Sequence, residues 1–267
     1  MKLISTSTAT WATATSESAT WPAANVLETA VKKSWRAASS SVMSAMVSVV
    51  MQGTMDSVAI MGIAADTLTV SITDPNAIAW EPDTEWEAGT AWATSGAISP
   101  QEILLEPLAG TTVASTSGLR SAAWFEFPEF TGICVLRITV ANTTGRPLTL
   151  SIGTVFPGLR GEYSSARYGM TVNEVDHSIE REMAAGNIYY KPRSLVREFA
   201  FTLMIIEQTI YDALWNMVRS KRRISMPMVL VNNYGTQWLI IGRIRSMRGT
   251  LESYRYTPID LVVREEI

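Results

Sequence analysis

Between Leu195 and Ile206 large apolar residues recur at every second position. Phe199, Phe201, Leu203 and Ile205 lie on one side, and Glu198, Ala200 and Thr202 on the other. A period of two places the first four on one face of a strand. The spacing then switches to Ile206, Ile210, Ala213, Leu214, Met217 and Val218, which is a helical stripe. A chain that makes this switch must cover a sheet face with a helix. Met226–Val231 and Gln237–Arg245 flank Asn232-Asn233-Tyr234-Gly235 as a hairpin, and Thr257–Arg264 reads as a last strand. The spacing predicts an α+β unit over residues 161–267 with one long helix, Glu207–Lys221. Arg219, Lys221, Arg222 and Arg223 fall at its C-terminal end, where the helix dipole favours cations. Residues 162–194 read as one or two strands and a long arm, Asp176–Arg193.

The preceding residues carry a different pattern, that of an all-β unit. Ser41–Gln52 and Asp56–Ile63 read as two strands separated by Gly53-Thr54. Thr67–Ile72 alternates, with Leu68, Val70 and Ile72 on one face, and Asp74-Pro75-Asn76 breaks the chain. Trp80–Ser117 is long and irregular. Trp124–Phe127 and Ile133–Val140 read as strands, Asn142-Thr143-Thr144-Gly145 as a hairpin turn, and Leu148–Phe156 as the closing strand. Short strands with regular turn signals point to a sandwich or jelly roll. Residues 1–160 hold 8 Lys+Arg against 13 Asp+Glu, a net of −5, and residues 161–267 hold 14 against 12, a net of +2. The change falls beside Phe156-Pro157-Gly158-Leu159-Arg160-Gly161, so the boundary is placed at residue 160. The fold class expected is mainly β: an N-terminal jelly-roll β-sandwich, then an α+β domain with one helix.

Composition narrows the function classes. With 47% hydrophobic and 18% charged residues, 267 residues suffice for a packed core. The one cysteine, Cys134, excludes an internal disulfide and a cysteine-built zinc site, and Ile133-Cys134-Val135-Leu136 reads as buried strand. A net charge of −3 without a polybasic tract argues against nucleic acid and anionic lipid. The start, Met1-Lys2-Leu3-Ile4-Ser5-Thr6, lacks a signal-like apolar core, and no run reaches the roughly 20 residues of a spanning helix. No membrane insertion is expected.

No catalytic constellation is visible, and no cofactor or metal is expected. The single histidine, His177, lies in the polar stretch Glu174-Val175-Asp176-His177-Ser178 and reads as solvated or capping. There is no G-x-S-x-G elbow, no P-loop and no Cys/His cluster. The acidic run Glu81-Pro82-Asp83-Thr84-Glu85-Trp86-Glu87 reads as a solvated loop, with a protein interface or a Ca²⁺ site as its other uses. Two of its carboxylates, Glu85 and Glu87, join Trp80, Trp86 and Trp92 as candidate binding residues for a protein interface or a glycan. Arg219, Lys221, Arg222 and Arg223 are the candidate assembly residues, with helix capping as the plain alternative.

Four segments together carry a resemblance. They are Trp21–Leu27 with Trp35-Arg36, Gly53-Thr54-Met55-Asp56-Ser57-Val58-Ala59-Ile60, Leu150–Gly158, and the ending Pro258-Ile259-Asp260-Leu261-Val262-Val263-Arg264-Glu265-Glu266. The first three resemble galactose-binding-like jelly-roll modules, in which Trp35 would be core. The strand–helix–hairpin order and the ending resemble the tail-ring domains of distal tail proteins from long-tailed phages. The sugar-binding relatives' calcium loop is replaced by Glu28-Thr29-Ala30-Val31-Lys32-Lys33, which weighs against Ca²⁺ and sugar binding. The resemblance implies a structural virion protein of the tail tip or baseplate, assembled in the host cytoplasm. It would form a three- or six-fold homo-oligomeric ring that joins the tail tube and baseplate hub to the receptor-binding apparatus. The alternative is a carbohydrate-binding adhesion module for host attachment, with a host-surface glycan as partner.

Overall fold

The computed structural model describes residues 1–267 except 29–32, 75–100, 106–120, 146, 164–169, 177, 183–187, 192–195, 206, 222–223, 232–236, 250–256 and 266–267. The strands, in chain order, begin with β1 (Lys2–Ile4), β2 (Ala9–Ala14), β3 (Trp35–Arg36), β4 (Ser44–Ile63), β5 (Thr67–Asp74) and β6 (Gln101–Leu105). There follow β7 (Ser121–Ala141), β8 (Ser151–Ile152), β9 (Thr154–Gly158), β10 (Arg160–Glu162), β11 (Thr171–Val175), β12 (Ile179–Glu182) and β13 (Ile188–Lys191). The chain closes with β14 (Val196–Ile205), the helix α1 (Gln208–Ser220), β15 (Met226–Val231), β16 (Gln237–Gly249) and β17 (Thr257–Glu265). The architecture is mainly β and antiparallel, with one α-helix among the described residues.

One sheet runs in the order β2-β4-β7-β5-β6, with β9 also paired to β4. Its spine is a pair of very long strands. The sequence reading split each of them in two, at Gly53-Thr54 and between Phe127 and Ile133. Instead Gly53 and Gly132 stand directly opposite each other within one continuous ladder. Their φ values, 128° and 150°, lie where glycine is favoured, and the ladder continues through them. The register shifts between Met55 and Ser57. Before the glycines β4 alternates: Ala45, Val47, Val49 and Met51 are buried in the sandwich core. Beyond them, Met55 to Met61 are all buried, the mark of a strand covered on both faces.

The core on the inner face also holds Trp35, Val58, Ile60, Leu136, Ile138, Leu150, Ile152 and the fully buried Cys134. Trp35 is core as expected, and its Nε1 donates to the Ser16 carbonyl at 3.0 Å. One turn expectation needs correction. Asn142–Gly145 does not join paired strands, because β8 pairs with β3 and not with β7. It is instead tied down by Asp66, whose Oδ2 accepts from the Thr143 and Thr144 amides at 2.8 and 2.9 Å. Beside the boundary placed at residue 160, Pro157 is buried inside β9. Proline offers the ladder only its carbonyl, which here accepts from the Thr8 amide at 2.9 Å.

The second sheet has seven strands in the order β10-β1-β15-β16-β17-β14-β11. Phe199, Phe201, Leu203 and Ile205 share its inner face with Ile259, Leu261 and Val263, and Leu214 of α1 closes over them. The helix is one residue shorter at each end than the stripe indicated, and Ala213 faces solvent. The sheet also recruits Lys2–Ile4, which the division at residue 160 assigned to the sandwich, and β10 spans that division. Residues 162–194 supply three strands, β11 to β13, where one or two were expected.

A third, smaller core joins the two sheets. Ala59, Trp124 and Phe156 from the sandwich meet Ile4 and Val229 from the seven-stranded sheet, all buried. Trp124 is fully buried there. Trp124→Ala is expected to lower stability by about 3–5 kcal/mol, the usual cost of emptying a large aromatic site. Urea unfolding checks this, and a loss below about 1 kcal/mol would contradict the packing described.

Candidate assembly surfaces

The polar rim of this junction is a chain of charges. Lys2 Nζ lies 2.6 Å from Glu126 Oε1 and 3.7 Å from Glu162 Oε1. Arg160 reaches Glu126, Glu162 (Nε to Oε1, 2.9 Å) and Asp56 (Nε to Oδ2, 3.5 Å). Asp56 Oδ1 also accepts from the Arg160 amide at 2.8 Å, and Glu126 Oε1 accepts from Trp124 Nε1 at 3.0 Å. Two cations thus hold three carboxylates from both sheets. Backbone approach is equally close. A Cβ on Gly158 would sit 2.4 Å from the Thr6 carbonyl oxygen, so only glycine lets the chain leaving β1 cross β9. The Met1 amine donates to the Tyr163 carbonyl at 3.0 Å. Burial pushes that amine down to about 6, against the pull of Glu162. Burial also raises the Tyr163 phenol.

Farther along the second sheet, the Arg197 guanidinium forks onto Glu265, Nε to Oε2 and Nη2 to Oε1, both at 2.8 Å. These hydrogen bonds raise the pKa of Arg197 despite partial burial. The clamp locks β14 to β17 near the sheet's open side. There β11 pairs with β14 alone among the described residues, and Thr171 to Glu174 are exposed. The chain then forms the hairpin β12–β13, whose strands pair with each other and with no other strand among the described residues. This places strand structure within the segment read as an arm.

The candidate residues divide accordingly. Arg219 is exposed in the last turn of α1. Lys221 is half-buried just beyond it, its amide donating to the Met217 carbonyl at 2.8 Å. Arg222 and Arg223 lie outside the described residues, as do His177, Trp80, Trp86, Trp92, Glu85, Glu87 and the rest of the acidic run 81–87. Among the described residues no group of three or more His, Cys, Asp or Glu is placed to hold a metal ion, and no helix is long and apolar enough to cross a membrane. Sequence reasoning missed the Lys2–Arg160 charge chain, whose members are spread over 160 positions without a local pattern. It also missed Trp11, on edge strand β2 and 61% exposed. The signal available was an aromatic in the alternating run Ala9–Ala14.

Comparison with known proteins adds little. No family model matches this chain, and no curated protein matches it. A solved chain of the Streptococcus pneumoniae β-galactosidase BgaA aligns with 58% of this chain and 97% of its own length, at 15% identity and a TM-score of 0.36. A likeness that weak carries no argument about what this chain does.

The charge chain has a measurable consequence. Arg160→Met removes the guanidinium from Asp56 and leaves Glu126 and Glu162 to Lys2, and is expected to cost about 1–3 kcal/mol. Adding Glu126→Gln should recover part of that loss, because the two side chains touch. Strictly additive losses in a double-mutant cycle would contradict the arrangement.

Proposed function

We propose that this chain is a structural virion protein of a phage tail tip or baseplate, without catalytic activity. In this reading it forms a three- or six-fold ring that links the tail tube to the receptor-binding apparatus. The observation that carries the reading is the hairpin β12–β13, which follows the open-sided strand β11 and pairs with no other strand among the described residues. A two-stranded hairpin alone is marginal in water. Seated on the next copy, it gains the strands it lacks and covers an exposed sheet edge. Such a contact is head-to-tail, and head-to-tail contacts that close generate rings. The resemblance of the sequence to tail-ring domains supports the same reading.

One observation favours the alternative, a carbohydrate-binding adhesion module. Trp11 pairs in register with Val50, which pairs with Val135, and Ile133, 49% exposed, lies two residues along the same face. An exposed tryptophan on an outward sheet face, beside Thr13 and Arg137, is a surface on which a sugar ring can stack.

Replacing residues 179–191 by a short Gly-Ser link separates the two. The ring reading expects a folded chain that no longer enters particles, with glycan binding absent before and after. Normal incorporation of the deleted chain would sink it. Specific glycan retention that Trp11→Ala abolishes would favour the adhesion reading.

A further inference from the structure

Arg36 is held both at its backbone and along its side chain. Its amide donates to the Trp21 carbonyl at 3.2 Å, and its carbonyl accepts from the Ser18 amide at 2.9 Å. The guanidinium lies over the Trp21 ring, 4.2 Å from its centre, and Nε donates to Ser34 Oγ at 3.3 Å. The residue is nonetheless exposed, and it forms no ion pair among the described residues. Arg160, Arg197 and Arg245 each reach a carboxylate of this chain. A guanidinium stacked on an aromatic ring keeps its outer edge for a planar acceptor, and a carboxylate is the acceptor that edge fits.

Farther along the same sandwich the opposite charge is presented. Met55 stands opposite Phe130 and Ser57 opposite Glu126, so Phe127, Pro128 and Glu129 all face the single position Asp56. Such a bulge re-aims a side chain out of the ladder. Phe127 and Phe130 pack against the sandwich core and hold the bulge at both ends. Glu129 between them is exposed and forms no ion pair among the described residues. The two charges are far apart in one chain. Trp35 donates to the Ser16 carbonyl and Thr15 to the Met46 carbonyl, so Arg36 lies by the start of β4. Glu129 lies beyond Gly53, and from Met46 to Gly53 alone the strand advances about 20 Å.

We propose that Arg36 of one copy forks onto the Glu129 carboxylate of the next. Two different surfaces meet in such a contact, so it is head-to-tail, as a ring requires. This rests on the ring reading and adds a contact between sandwiches to the hairpin contact of the second sheet. A sugar is the poorer occupant of Arg36, because the Trp21 ring beside it is half-buried and already covered by the guanidinium. One exposed pair adds little affinity. It sets register and partner choice, as charge pairs at interfaces do.

The test uses the full chain with Arg36→Glu, Glu129→Arg and the two changes together. Light scattering at about 50 mM salt should show each single reversal weakening assembly at least about threefold, and the double exchange restoring it to within about twofold. Both side chains are exposed, so urea midpoints should match that of the unaltered chain, which separates a lost contact from a lost fold. Arg36→Cys/Glu129→Cys should give a ladder of covalent oligomers on a non-reducing gel, where either cysteine alone gives at most a dimer. The span between the two sites is too long for a disulfide within one chain. Three results overturn the proposal: assembly indifferent to the reversals, a double exchange no better than the singles, or Arg36→Glu abolishing retention on a polygalacturonate resin with assembly unchanged. If the unaltered chain fails to assemble at all, the ring reading falls with it. If it assembles and the reversals do nothing, only this contact is wrong.

Discussion

The central stretch of β4 has no free face, and the rest of the structure is arranged around that constraint. Val58 and Ile60 belong to the sandwich core, while Ala59 between them belongs to the junction with Ile4, Trp124, Phe156 and Val229. A strand buried on both sides must find apolar cover twice. The sandwich supplies one cover. The other comes from a sheet built mostly of residues more than a hundred positions later, together with Lys2–Ile4 at the start of the chain. The two sheets are thereby joined by packed side chains, by β1 and by the Lys2–Arg160 charge chain. Emptying Trp124 or removing Arg160 therefore disturbs both sheets at once.

This junction explains which parts of the fold were legible in the sequence. The alternation through Phe199, Phe201, Leu203 and Ile205, and the helical stripe after it, have one buried face each, so their periods survive in the residue pattern. Met55–Met61 is buried on both faces and has no period to read. Gly53-Thr54 looks like a turn because glycine often marks a break in a strand, yet here two glycines face each other within a continuous ladder. The role of β1 was invisible for a different reason. Three residues carry too little pattern to say which sheet will take them, and their partners, Glu162 and Val229, are far away in sequence.

The candidate surfaces were legible to a lesser degree. Charge asymmetry between the two parts could be read directly, because it is a property of consecutive residues, whereas the segment read as an arm holds the hairpin β12–β13. The meeting of Arg243 with Arg264 could not, since they become neighbours only through the pairing of β16 with β17. The Arg197–Glu265 clamp is hidden in the same way, with 68 positions between its partners. Surfaces that depend on register escape a linear reading. These are also the surfaces on which a proposed ring depends, because an assembly contact requires side chains from several strands to meet one partner.

In the proposed function the chain works as a closed ring of copies and not as a single chain. Native mass spectrometry of the purified chain tests this most directly. One chain weighs 29.3 kDa. A ring gives a dominant species of three or six chains, persisting on dilution to low protein concentration. A species of one chain at every concentration, with no higher assembly at low or moderate salt, would contradict it.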